Sequence, residues 1–140
     1  MPVKLTRVEG WPAKLSAAIE AGRTRPFRWG QHDCALFACA CIEAITGVDL
    51  GAQVRGRYHC ADEAEAIMEA VYGVPDVGGV ADSLLGEPVP VTLARRGDVV
   101  LLDITHGPAL GVCVGAVAAG AGPEGLVYVP MQRWLRAWRV

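Results

Sequence analysis

The stretch WGQHDCALF, residues 29–37, marks the point where an irregular segment becomes an apolar helix. Asp33 fits the N-cap of that helix, because its carboxylate can accept a hydrogen bond from a free amide of the first turn. Cys34 follows at the first helical position, where unsatisfied amides and the positive end of the helix dipole stabilise negative charge. These features predict a lowered pKa for the Cys34 thiol and make it a candidate nucleophile.

The helix that begins here is predicted to be the central one of the fold. Residues 34–46 are apolar nearly all round, with Glu43 as the one charged residue, and Gly47 follows as a stop signal. A helix of this composition is packed on several sides. Proline near a helix start, acidic first turns and glycine stops predict three more helices, over residues 11–22, 62–72 and 77–85.

The second half of the chain has a different pattern. From residue 96 onward, short runs rich in Val, Leu and Ile are separated by Gly and Pro, which predicts strands. The expected strands cover residues 99–104, 109–118, 126–129 and 135–140, with a glycine- and alanine-rich turn over 116–123. Helices followed by antiparallel strands indicate an α+β fold. We expect one domain over residues 1–140, mainly helical to residue 86 and mainly strands from residue 87.

The composition excludes several classes of protein. With 52% hydrophobic and 20% charged residues the chain is globular rather than disordered. A net charge of -2 gives no electrostatic footprint for nucleic acid. The sequence has no apolar run of about 18 residues and no apolar signal core near its start, so we expect no membrane span and synthesis in the cytoplasm.

The cysteines do not predict disulfides or a metal site. Their number, five, is odd, which argues against a complete disulfide framework. Three of them are interpreted as small, reduced, buried side chains: Cys39, Cys41 and Cys113. Four residues could be drawn as a zinc site: His32, Cys34, His59 and Cys60. They lack the paired spacings of zinc ligands, so we expect neither a metal nor a cofactor.

Two motifs resemble those of NlpC-type cell-wall peptidases, which are papain-like cysteine hydrolases. Trp29-Gly30, Asp33-Cys34 and Phe37 are similar to the family's helix-start positions. RGDVVLL at 96–102 and LGVCVG at 110–115 resemble two of its strands, so that the resemblance spans roughly residues 27–130. The short versions found among tail genes of phages and gene-transfer agents are the most similar. The resemblance implies a papain-like fold, with the cysteine-bearing helix packed on a small antiparallel sheet.

The resemblance also implies catalytic roles. In that family a cysteine attacks an amide of the peptidoglycan stem peptide, a histidine is the base, and a third polar residue orients the histidine. Cys34 matches the nucleophile and Tyr128 the third polar position. Ala109 falls at the histidine position, and alanine cannot act as a base. His106, in a turn-prone stretch before the strand, and His32, two residues before Cys34, are the possible replacements.

Two functions follow from the resemblance. One is a phage-tail-associated cysteine peptidase or amidase that acts on peptidoglycan during cell-wall penetration. The other is a non-catalytic tail-tip hub module that keeps the fold, and both imply a location in the virion tail tip. Regular strand alternation would put Trp134, Arg136 and Trp138 on one face, which favours a docking edge for other tail-tip proteins. The alternative is an edge strand whose tryptophans cover the core.

Overall fold

A computed structural model describes residues 2–105 and 107–140. Within those residues the chain forms four α-helices and five β-strands, in the order α1 (Trp11–Thr24), α2 (Cys34–Thr46), α3 (Ala61–Tyr72), α4 (Val77–Leu85), β1 (Val99–Ile104), β2 (Gly107–Cys113), β3 (Val117–Gly122), β4 (Gly125–Pro130) and β5 (Trp134–Trp138). Short 3-10 turns occupy Val91–Leu93 and Met131–Arg133. The expected α+β class, with helices before strands, is confirmed.

The five strands form one antiparallel sheet in the order β4-β3-β2-β1-β5. Helix α2 lies against β2 and β3 on one face of this sheet, and α1 packs on α2. The buried core between them includes Phe37, Ile42 and Ile45 from α2 and Val99 and Val112 from the sheet. This arrangement places the start of α2 beside the middle of the sheet, next to β2.

The opposite face of the sheet carries a second core. Val100, Leu102 and Cys113 are buried there, and the segment before β1 packs over them through Val89 and Val91. The sheet is therefore covered on both faces. Each core strand supplies apolar side chains alternately to both sides, which explains why residues 99–102 form an uninterrupted apolar run.

Helix α1 is longer than predicted. Gly22 was expected to end it, but the helix continues to Thr24. A Cβ atom at Gly22 would lie 2.6 Å from Cε1 of Phe37. The glycine is therefore required by close packing of α1 against α2, and it does not act as a helix stop.

The number of strands was underestimated at four. The stretch expected to be one strand over 109–118 contains the end of β2, a turn and the start of β3. The segment expected to be a turn over 116–123 contains the whole of β3. Small residues are needed here because the sheet is tight: a Cβ at Gly111 would lie 2.7 Å from the Ala119 carbonyl oxygen and from Leu102 Cδ1.

The expected common face of Trp134, Arg136 and Trp138 is wrong. Leu101 pairs with Arg136 but Leu102 pairs with Trp134, so Leu135 is an extra residue in a β-bulge. The bulge turns the two tryptophans to opposite faces, and their side chains are buried at 6% and 0% exposure. The tryptophans cover the two cores, which contradicts their proposed use as a docking edge.

No helix in residues 2–105 and 107–140 combines the length and the apolar character needed to cross a membrane.

Candidate functional site

The start of α2 is held by one buried carboxylate. Asp33 accepts hydrogen bonds from the backbone amides of Leu36, at 2.9 Å, and Gly30, at 3.0 Å, and from the hydroxyl of Tyr58. The first of these bonds is the predicted N-cap. Burial and the nearby Asp33 charge raise the pKa of Tyr58 far above its ordinary value, so the phenol stays protonated and donates. The carboxylate thus joins α2 to a loop 25 residues away.

Gly30 has a position that only glycine fits. Its φ is +78°, and a Cβ added there would clash with the Tyr58 carbonyl oxygen. The backbones of the 29–33 turn and the Tyr58 loop are consequently in direct contact. The Trp29-Gly30 motif therefore has a structural reason in this chain, because the glycine lets Asp33 reach Tyr58.

Cys34 is half-buried at the first position of α2. Burial raises the pKa of its thiol to about 11, the Asp33 carboxylate adds to this, and the backbone amides of Leu110 and Ala35 lower it by less. The expectation of a lowered pKa is therefore wrong. Removal of the thiol from water outweighs the effect of the helix dipole and the local backbone amides on the pKa.

The strand opposite Cys34 presents apolar side chains. Leu110 pairs with Leu101 on the face that packs against α2, and Pro108 shares that face. Ala109, which the resemblance placed at the histidine position, pairs with Leu102 and points to the other face of the sheet. The residue whose backbone contacts the thiol is thus Leu110, and its apolar side chain cannot act as a base.

His32 is packed in the core and not beside the thiol. Its side chain is 4% exposed, its ring lies edge-on to Phe37 with centroids 6.0 Å apart, and it contacts the backbone of Gly22 in α1. Burial, helped by the charge of Arg25, lowers its pKa and keeps the ring neutral. His32 does not line the space that Cys34 faces.

Tyr128, the candidate for the third polar position, is not brought to Cys34 by any described contact. Tyr128 lies on β4, separated from β2 by β3, and its side chain is 50% exposed. It therefore does not orient a group at the start of α2. His106 lies outside the described residues.

Cys34 lines a cavity of about 420 Å³, which we call the α3 cavity. It is enclosed by α2, α3, α4, the loop around Tyr58 and the α2-facing side of β1 and β2, with Arg136 of β5 at its border. Most of its wall is apolar. Cys39, one and a half turns after Cys34, is a second half-buried thiol in this wall, and burial raises its pKa to about 12.

The other cysteines and acidic groups have structural positions. All five thiols are free, Cys41 and Cys113 are buried as expected, and Cys60 is exposed just before α3. Within residues 2–105 and 107–140, no three His, Cys, Asp or Glu side chains are grouped closely enough to hold a metal ion.

Asp98 is fully buried and accepts hydrogen bonds from the side chain of Arg7 and the amide of Val140, both at 3.0 Å.

Sequence reasoning missed the cavity wall formed by α3. The acidic first turn predicted this helix, but the helix also has apolar residues at helical spacing that line the cavity: Ala61, Ala64, Ile67, Met68 and Tyr72. That spacing is visible in the sequence. The Tyr58–Asp33 contact had no local signal, because the two residues are distant in the chain.

A family model described as "Domain of unknown function (DUF6950)" matches residues 6–140. The chain belongs to the DUF6950 family. The match covers all of the helices and strands described above, including the Asp33-Cys34 helix start and β5. A search among curated proteins finds no match. Membership of DUF6950 states no activity, so a function must be argued from the site itself.

Proposed function

We propose that this protein is a non-catalytic interaction module of a phage tail tip that retains a papain-like, NlpC-type fold. The observation that carries the proposal is the environment of Cys34. The thiol lies against the backbone of Leu110, and no histidine among the described residues lines its cavity. A cysteine hydrolase needs a base within hydrogen-bond reach of the sulfur.

The protonation state of the Cys34 thiol also supports a non-catalytic role. With a pKa of about 11, only about one Cys34 in ten thousand is a thiolate at pH 7. The nucleophile of a cysteine hydrolase is the thiolate, and such enzymes lower the pKa with an adjacent cation. Here the charged side chain that shifts the pKa of the thiol is the carboxylate of Asp33, and it raises that pKa.

The fold assignment and the tail-tip context are supported by sequence resemblance. The observed α+β architecture, with α2 packed on an antiparallel sheet, is compatible with a papain-like arrangement. The Asp33 cap and the Gly30 contact explain why the helix-start motif would be kept without catalysis, since both residues hold the turn to the Tyr58 loop.

The test combines two measurements on the full chain. Iodoacetamide labelling of Cys34, quantified by mass spectrometry between pH 6 and 11, should rise only at the alkaline end of this range. Purified peptidoglycan incubated with wild type and with Cys34→Ala should give identical profiles without stem-peptide fragments. A thiol that titrates below about 7, together with fragments released by wild type alone, would refute the proposal.

The alternative is the cysteine peptidase or amidase of peptidoglycan, and one observation favours it. Cys34 is not sealed in the core but lines an accessible cavity at a capped helix start. His106 is then the base to test. Fragment release by wild type that is lost in both Cys34→Ala and His106→Ala, with both variants folded, would establish this alternative.

A further inference from the structure

We propose that the α3 cavity receives a short apolar segment of a protein partner that carries a lysine or arginine beside its apolar residues. The inference rests on the interaction role proposed above and states the chemistry of the partner. Three observations carry it: the volume of the cavity, the partly exposed apolar residues that α3 turns toward it, and the sign of the charges in the wall.

The cavity is too large and too apolar to be a packing defect. Its volume of about 420 Å³ lies within the roughly 300–1,000 Å³ of ligand pockets. At about 30 Å³ per molecule it would hold about fourteen waters, which would find few hydrogen-bond partners in an apolar wall. Three or four leucine side chains, at four heavy atoms each, contain a similar number of heavy atoms and suit such a wall.

Helix α3 turns its apolar face toward this space. Ala64, Ile67 and Met68 lie about one turn apart on the same side of the helix and line the cavity. Ile67 and Met68 are only partly buried, although they form the apolar face of their helix. An apolar helix face that remains partly exposed beside a cavity is typical of a binding position.

The charges in the wall select a basic partner. Three carboxylates line the cavity, those of Asp33, Glu65 and Asp76. Arg136 is the one cation that lines it in the part of the chain described, and it is bonded to Asp82 at 2.6 Å. Asp33 is held by three hydrogen bonds and Asp76 caps α4, so the charge that remains available in the wall is the negative charge of Glu65. A lysine or arginine beside the apolar segment complements it, and a carboxylate would be repelled.

Isothermal titration calorimetry with two capped pentapeptides tests the charge preference. The probes are Lys-Leu-Phe-Leu-Lys and Glu-Leu-Phe-Leu-Glu, which share an apolar centre. We expect the lysine peptide to bind at least about tenfold more tightly. Equal affinities, tighter binding of the glutamate peptide, or no binding of either would overturn the proposal.

Variants of α3 locate the binding site. Ala64→Phe fills the cavity and should weaken binding of the lysine peptide at least about tenfold. Ala66→Phe, on the exposed side of the same helix, is the matched control and should leave binding unchanged. If Ala64→Phe does not fold, Ala61→Trp, at the exposed start of α3, narrows the same cavity. Binding that survives in the folded cavity variant would place it elsewhere and refute the proposal.

A second pair of variants tests the carboxylate. Glu65→Gln should reduce the preference for the lysine peptide, whereas Glu69→Gln, which does not line the cavity, should not. Tighter binding of dodecanoate than of the lysine peptide would identify an acyl carboxylate as the occupant. A dimer in sedimentation that Ala64→Phe dissociates would identify a second copy. Either result contradicts the proposal.

The outcomes separate this inference from the proposed function. Peptidoglycan fragments that depend on Cys34, found together with unchanged lysine-peptide binding, would remove the non-catalytic role and leave the site. An inert Cys34 without binding of either peptide would remove the site alone.

Discussion

Replacing Asp33 with alanine tests how much of the fold depends on one buried carboxylate. The side chain is 1% exposed and accepts hydrogen bonds from Gly30, Leu36 and Tyr58. Loss of an N-cap costs about 1 kcal/mol. The two other donors would lose their acceptor in a buried site, at about 1–3 kcal/mol each. Together we expect a loss of about 3–7 kcal/mol in the free energy of unfolding.

A matched control separates the cap from the buried network. Asp76 also caps a helix, since it accepts from the Gly79 amide at 2.7 Å, but it is exposed and makes this bond alone. Asp76→Ala should therefore cost only about 1 kcal/mol. Asp33→Asn, which keeps the shape and one acceptor, should lie between the two alanine variants.

Urea unfolding followed by circular dichroism measures all three variants. The stability of a domain of this size is about 5–15 kcal/mol, so the Asp33→Ala midpoint should fall by a large fraction of its value. Equal losses of about 1 kcal/mol in Asp33→Ala and Asp76→Ala would show that Asp33 is only a cap. A role for Asp33 in joining α2 to the Tyr58 loop would then be refuted.

Three further predictions concern other positions. The pKa of buried His32 is lowered from 6.5, so the unfolded chain takes up a proton at His32 at a higher pH than the folded chain does. The free energy of unfolding should therefore fall as the pH drops below about 6.5. In urea unfolding at about pH 5–7, His32→Phe should make this fall smaller. Gly30→Ala should lower the free energy of unfolding by more than about 2 kcal/mol, because φ is +78° there and the added Cβ meets a carbonyl oxygen. Gly47→Ala should lower it by less, because φ is similar, at +79°, but the space around the glycine is open. Trp134→Ala should lower the free energy of unfolding by about 3–5 kcal/mol. Leu135→Ala should change it by less than about 0.5 kcal/mol, because Leu135 is 48% exposed, and similar losses in the two variants would contradict the bulge.

The parts of the fold with local chemistry were predictable from the sequence. Helix α2 begins after Asp33 and ends before Gly47, as expected, because capping depends on residues within one turn. Strand β3 was missed because its sequence, VAAGAG, has the composition of a turn. The need for small residues there comes from neighbouring strands, as at Gly111, and those neighbours are distant in sequence.

The candidate site was predictable in position but not in chemistry. The sequence placed Cys34 at the start of a helix, where the local dipole favours a thiolate. The direction of its pKa shift depends on the water that α3 and β2 exclude, and tertiary packing alone determines that. The faces of the sheet to which Ala109 and Leu110 point likewise depend on strand register, and a one-residue slip would exchange them.

Because of the bulge at Leu135, the short strand β5 contributes a side chain to each of the two cores. Trp138 fills the core beside α2 and Trp134 the core on the other face, while both ends of β5 pair with β1. During synthesis, β1 therefore has a free edge, and each core lacks its tryptophan, until residues 134–138 leave the ribosome. An unpaired apolar strand invites pairing with other chains. We expect nascent chains that end before residue 134 to depend on chaperones, and full-length chains to be released from them.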